Sequence, residues 1–152
     1  MDDHVLEIDT QPSTQDIQRL KDGLGEHAQD MLADSGFHPV AVFARDDAGQ
    51  IVGGVSGTIN WSWLAISLLW VRPDQRGRGL GRRLMETIEE HGRANGCTDA
   101  HVDTLGFQAP AFYRPLGYEP FATLSDYAAE HPRIYFKKHL ESPSSSCRTL
   151  DR

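Results

Sequence analysis

Val71-Arg72-Pro73-Asp74-Gln75-Arg76-Gly77-Arg78-Gly79-Leu80-Gly81 is the most informative stretch of the chain, lying between an apolar run and a helical pattern. Its glycines let the backbone approach a ligand closely and adopt conformations closed to other residues. The helix that begins here directs unpaired N–H groups at the loop, and its dipole favours an anion. A diphosphate is the natural guest. The spacing is not that of a Walker loop, because Gly81 is followed by Arg82-Arg83 and not by Lys-Ser/Thr. It is not the GxGxxG fingerprint either, whose acidic residue about 20 positions later would be met only loosely by Asp99 or Asp103. A glycine-rich connector with solvated arginines is the plain alternative.

Outward from this loop, residues 40–45 read as a strand, 46–50 as a turn rich in Asp and Gly, and 51–60 as the return strand of a hairpin. Residues 63–71 are almost continuously apolar, the pattern of a central strand buried on both faces. After the loop, Leu80, Leu84, Met85 and Ile88 form one stripe of a helix that stops at Asn95-Gly96. Ala100, Val102 and Thr104 alternate with His101 and Asp103 as on a strand. A short helix at 110–114, a strand from 118 to about 124 and a last strand at 133–139 complete the order. Before the hairpin, a strand is expected at 5–8, and Ser13 with Asp16 suggests a helix N-cap. Ile17, Leu20, Leu24, Ala28 and Met31 then recur at helical spacing, and Gly23 and Gly25 are expected to split that series into two short helices. The whole is an α/β protein with a mixed sheet, one domain over 1–140, and a Ser-rich tail at 141–152 expected to be disordered.

The 152 residues suffice for one core, and 39% hydrophobic with 24% charged residues is a soluble globular balance. No apolar run reaches the roughly 20 residues of a membrane span, so no membrane partner is expected. The acidic start Met1-Asp2-Asp3-His4 lacks the positive charge of a secretory signal, and a cytoplasmic protein is the expectation. A net charge of −7 argues against nucleic acid as a general partner, yet Arg72, Arg76, Arg78, Arg82 and Arg83 cluster within one short window. That is a local anion site on an acidic protein. Cys97 and Cys147 belong to no CxxC pair and read as reduced thiols. His27, His38, His101 and His131 are scattered without an HExxH pattern, so no metal is expected.

Arg76-Gly77-Arg78-Gly79-Leu80-Gly81 matches the R/Q-x-x-G-x-G/A signature of the GNAT acetyltransferases. Leu68-Leu69-Trp70-Val71-Arg72-Pro73 resembles the strand leading into it, and residues 107–118, with Phe112-Tyr113 and Leu116-Gly117-Tyr118, are similar to the family's second motif. The resemblance covers about residues 38–140. It implies a mostly antiparallel mixed sheet flanked by helices, whose middle strands splay apart to admit the pantetheine arm of acetyl-CoA. Main chain of Leu69 and Val71 would pair with the arm, amides of Arg76, Gly77, Arg78, Gly79, Leu80 and Gly81 would cradle the pyrophosphate, and Gln108 could touch pantetheine. Gly106 stands about where the family often carries an Asn.

The implied reaction is N-acetylation of a primary amine by direct transfer, with a non-catalytic acyl-CoA-binding sensor or regulatory domain as the alternative. An alkylamine of pKa about 10 must lose a proton before it attacks. A backbone N–H of Leu69 or Trp70 could stabilise the oxyanion. Tyr113 matches the family tyrosine that acts as general acid; packing alone is its other role. Asp103 is the candidate base, directly or through water, and a surface or capping carboxylate is the competing reading. Asp22, Glu26, Asp30, Asp34, Asp126 and Glu130 could form an acidic rim for a cationic small-molecule or protein amine, or a merely solvated face. His131 and Asp126 could line the acceptor pocket, and Trp61, Trp63 and Trp70 could wall it or pack in the core. Dimers are common among similar proteins, which leaves a homodimer open.

Overall fold

The hairpin expected from the sequence forms as β1 (Phe37–Arg45) and β2 (Ile51–Asn60). Its turn is built by Asp46, whose Oδ1 accepts hydrogen bonds from the Ala48 and Gln50 amides, both at 3.0 Å. The computed structural model describes residues 4–29 and 37–141. Met31 of the helical series, Asp30, Asp34, Cys147 and the tail beyond residue 141 lie outside the described residues.

Residues 4–29 carry one helix, α1 (Thr14–Gln29). Ser13 caps it, with its Oγ accepting from the Asp16 amide at 3.0 Å, as the sequence suggested. Gly23 and Gly25 do not divide it: each weakens a helix by about 1 kcal/mol without breaking it. The strand expected at 5–8 is absent. Those residues carry no regular secondary structure and pair with no strand among the described residues, and Val5, Leu6 and Ile8 are more than nine-tenths exposed.

Residues 37–141 form a six-stranded sheet in the order β1-β2-β3-β4-β6-β5, with β3 (Trp63–Val71), β4 (Asp99–Leu105), β5 (Glu119–Ala128) and β6 (His131–His139). Only β3 and β4 run parallel; every other neighbouring pair is antiparallel. A parallel pair needs a crossover, here supplied by α2 (Leu80–Ala94). The short α3 (Pro110–Tyr113) continues into a 3-10 turn at Arg114–Leu116. Leu84, Met85 and Ile88 of α2 join Tyr113, Leu116 and Phe136 in one buried cluster with Val55, Leu64, Ile66 and Val102 of the sheet. β3 differs from its expected burial. Leu64 and Ile66 are buried towards α2, but Trp63, Leu68 and Trp70 are 37%, 70% and 48% exposed. The apolar run thus serves one covered face and one open one.

Two features of β3 shape the site. Ser56 pairs with Leu68 and Gly57 with Ile66, so Ser67 is an extra, bulged residue. A side chain at Gly57 would put its Cβ 2.4 Å from the Ala65 carbonyl oxygen, so this bulge requires glycine there. Immediately after it β3 parts from β4: their pairing spans only Trp63–Ile66 against Asp99–Val102.

The far end of α2 is fastened to the sheet through Glu89, which is 2% exposed. Its carboxylate accepts from the Tyr118 hydroxyl at 2.8 Å and from Lys138 Nζ at 2.8 Å, with Arg93 at 3.6 Å. Burial, with the carboxylate beside it, pushes the Tyr118 phenol far above its ordinary value. Glu89→Ala leaves a buried hydroxyl and an ammonium unpaired. It should lower stability by about 2 to 3 kcal/mol in urea unfolding, less than a fully buried pair because the cations are partly hydrated. A loss below about 0.5 kcal/mol would show that this cluster does not fasten the helix.

Candidate active site

The parting of β3 and β4 opens a cavity of about 670 Å³, lined by β3 from Ser67 to Val71, the loop and first turn of α2, Val102, Asp103 and Thr104 of β4, and Gln108, Ala109, Phe112 and Tyr113. Its floor on the β3 side is backbone. The Arg72 amide donates to the Val52 carbonyl at 2.8 Å, and Leu68 and Trp70 face Ser56 and Gly54 of β2 in the same alternation. In an antiparallel ladder the intervening residues point their N–H and C=O away from the partner. Leu69 and Val71 therefore present their main chain to the gap, and Trp70 does not. The Val71 carbonyl already accepts from Arg76 Nε at 2.9 Å.

At the loop, Gly77 and Gly79 have φ of 74° and 77°, the left-handed region. Gly79 is the N-cap of α2, and the Arg83 amide bonds its carbonyl at 3.1 Å. The amides of Leu80, Gly81 and Arg82, ahead of that first bond, lack helical partners, so the positive end of the helix dipole faces the cavity. The arginines divide the work. Arg72 is clamped to Asp74 at 2.6 and 2.9 Å and lies 3.5 Å from Asp46 of the hairpin turn. This bond holds the Asp74 carboxyl at about 2. Arg82 pairs with Glu86 at 2.8 Å. Arg76, bonded only to the Val71 carbonyl, and Arg78 and Arg83 have no ion-pair partner among the described residues, which leaves their charge for an incoming anion.

The opposite wall carries the titratable groups. Tyr113 is 7% exposed. Its ring is wedged against Phe112, Phe136 and Tyr118, with centroids 5.2, 5.6 and 5.9 Å away. Burial raises its pKa above the ordinary phenol value, and the Asp103 carboxylate raises it further. It therefore remains a proton donor through neutral and mildly alkaline pH. Asp103 also lines the cavity, but Arg133 Nε donates to its Oδ2 at 2.6 Å. Gln108 accepts the Leu105 amide at 3.1 Å through Oε1, capping the end of β4. Asp22 and Glu26 lie on α1, where Gln18 and Arg19 approach them. Asp126 and Glu130 flank the β5–β6 turn, and His131 stacks on Phe107 at 4.9 Å. Trp61 and Trp63 are exposed, in contact with Phe37 and His101. Sequence reasoning missed Arg133, which reaches Asp103 from 30 positions away in the chain; Phe112, quoted there within the second motif, lines the cavity with its ring 3.2 Å from where a Cβ on Gly81 would stand.

The model of the acetyltransferase (GNAT) family matches residues 4–118, three quarters of the chain. The chain belongs to this family. Blasticidin-S acetyltransferase of Streptomyces morookaense is 42% identical over 88 residues, 57% of this chain and 65% of that protein, so the match stops just short of two thirds of the relative. An acetyltransferase structure from Bacillus cereus superposes with a TM-score of 0.75 at 28% identity, covering 88% of this chain and 98% of that one. An aminoglycoside 6'-N-acetyltransferase complexed with coenzyme A shares the fold at a TM-score of 0.63 and 17% identity, over 92% and 99% of the two chains. Among the described residues, no three His, Cys, Asp or Glu side chains gather as a metal site would require, and no helix is long and apolar enough to cross a membrane.

A Cβ at Gly79 would meet nothing within 4 Å, so substitution there acts through backbone strain and not through a clash. Gly79→Val forces a β-branched residue into the left-handed region at a cost of about 1 to 2 kcal/mol. The expected outcome is a melting point lowered by a few degrees and acetyl-CoA affinity reduced about tenfold or more, as titration calorimetry would read it. Unchanged affinity would separate the loop conformation from ligand binding.

Proposed function

We propose that the protein transfers the acetyl group of acetyl-CoA to a primary amine on a small molecule, directly, within a ternary complex. One observation carries this reading: a backbone-lined gap between two parted strands leads from a helix terminus with free amides to a buried tyrosine whose pKa is raised. The family match and the coenzyme A complex of a structural neighbour support the donor. The likeness to a blasticidin-S acetyltransferase supports a small-molecule amine as acceptor, and makes blasticidin S the first acceptor to test.

In this reading the pyrophosphate rests on the free amides of Leu80, Gly81 and Arg82, with Arg78 and Arg83 supplying counter-charge. The pantetheine arm runs beside Leu69 and Val71. The neutral amine attacks the thioester carbonyl, and the Leu69 N–H, which faces the gap, receives the developing oxyanion. As the C–S bond breaks, the Tyr113 hydroxyl gives its proton to the departing sulfur, and the nitrogen releases its proton towards water on the Asp103 side. The phenol then recovers a proton from solvent. A raised phenol pKa makes that donation less favourable in the ground state, but keeps the donor form present to a higher pH than an ordinary tyrosine would, where more of the amine is neutral.

Tyr113→Phe should lower kcat with acetyl-CoA and blasticidin S by about a hundredfold, within the usual range for a positioned acid, while acetyl-CoA still binds. Because the Tyr113 pKa is raised, the alkaline fall in wild-type kcat should begin above the ordinary tyrosine value. Retention of full kcat by Tyr113→Phe would remove the tyrosine from the mechanism. Tight acetyl-CoA binding without turnover of any amine would favour a sensor.

A further inference from the structure

Strand alternation sorts the residues of β4 between two faces. Ala100, Val102 and Thr104 are buried towards α2, so His101, Asp103 and Leu105 belong to the opposite face. Tyr113 comes from the α2 side, within the buried cluster. Asp103 and Tyr113 both line the cavity and influence each other electrostatically, so the gap is flanked by a carboxylate on one face and a phenol on the other.

The Asp103 carboxylate is not free to turn. Arg133 grips one oxygen, Oδ2, with both Nε and the neighbouring terminal nitrogen of its guanidinium. The guanidinium is itself fixed. Its remaining nitrogen donates to the Tyr127 hydroxyl at 2.6 Å, and its plane lies against the rings of Tyr127 and Tyr135, 4.9 and 5.7 Å from their centroids. The pairing register makes this possible: Asp103 stands opposite Tyr135 and Arg133 opposite Leu105, so the two charged residues meet on the diagonal of one sheet face. The Nε hydrogen bond and the ion-pair contact of the terminal nitrogen both go to the same oxygen, and Oδ1 has no hydrogen-bond partner among the described residues. An ion pair serving only the fold gains most from a fork-to-fork geometry that uses both carboxylate oxygens. Here one oxygen is left over, on a residue that lines the cavity.

We propose that Asp103 Oδ1 is the anchor for the acceptor's amine, and that Arg133 is a positioning residue which holds the carboxylate in place by its other oxygen. This rests on the amine-acetylation reading above and deepens it by assigning the acceptor subsite. The ammonium docks with an N–H on Oδ1 and passes one proton to water; the neutral nitrogen keeps an N–H on Oδ1, which orients its lone pair towards the thioester from the face opposite Tyr113. Attack then comes from one side of the gap, and the sulfur leaves towards the proton donor on the other. The acceptor class this selects is a primary amine whose approach is cationic. Arg133 already neutralises part of the carboxylate's charge, so one charge-assisted hydrogen bond is the interaction on offer, and not a strong general attraction for polycations.

The test is steady-state kinetics with blasticidin S and a panel of simple primary amines at saturating acetyl-CoA, on wild type, Asp103→Asn, Arg133→Gln, Arg133→Lys and the double variant Asp103→Asn/Arg133→Gln. Acetyl-CoA affinity is measured by calorimetry and folding by melting point. Arg133→Gln should raise the amine KM about tenfold with acetyl-CoA affinity unchanged. Arg133→Lys should recover part of it, and the double variant should be no worse than Asp103→Asn alone, because Arg133 acts only through Asp103. An amine KM within about twofold of wild type in Arg133→Gln, or additive losses in the double variant, would overturn the inference while leaving the function standing. A wild-type protein that binds acetyl-CoA but acetylates no amine would overturn both.

Discussion

A parallel pair of strands at the centre of a sheet is normally a continuous ladder, and here it lasts for four positions before it stops. The cause is local and steric. Ser67 is one residue too many for its partner strand, and only a glycine at 57 leaves room for the displaced Ala65 carbonyl. Past that point β3 follows β2 and β4 follows β6, so main-chain groups in the middle of the sheet are left without a strand. Buried backbone polar groups require partners. In the proposed reading an extended, amide-bearing ligand arm supplies those partners, and the loop, the helix terminus and Tyr113 line the same cavity.

Electrostatics at the two ends of the gap differ in kind. At the loop end, attraction for an anion comes from fixed dipoles and from three arginines (Arg76, Arg78 and Arg83) without ion-pair partners among the described residues, on a chain whose net charge is −7. The neighbouring Arg72 and Arg82 are consumed by Asp74, Asp46 and Glu86. At the reactive end there is no such surplus: Asp103 and Arg133 cancel, and Tyr113 is kept neutral by burial. In the proposed reading, binding strength is thus concentrated far from the bond that changes. The reacting centre is left with one hydrogen-bond donor face and one acceptor face, an arrangement suited to charge that appears only during reaction.

Much of this was legible because it is written in local pattern. The Asp46 turn, the stripe through Leu84 and Ile88, the Asn95-Gly96 stop and the alternation of β4 each depend on residues close in sequence. The glycine loop was legible for the same reason. The bulge at Ser67 was not, since an apolar run such as 63–71 has the same composition whether or not one residue is extra. The same run hid that Leu68 and Trp70 face away from the core. Residues 5–8 had strand composition but no partner, and Gly23 and Gly25 had breaker composition within a helix that continued regardless. The grip of Arg133 on Asp103 and of Lys138 on Glu89 comes from tertiary packing, 30 and 49 positions apart, where no sequence period reaches.

The most direct measurement is a crystal structure of the protein soaked or co-crystallised with acetyl-CoA. Pyrophosphate oxygens should lie on the amides of Leu80 to Arg82, and the pantetheine arm between β3 and β4 with an amide bonded to Leu69. The thioester should stand within hydrogen-bond reach of the Tyr113 hydroxyl, roughly 3 Å in a competent complex. Acetyl-CoA bound elsewhere, or β3 and β4 found paired beyond Ile66 with no room for the arm, would contradict this arrangement.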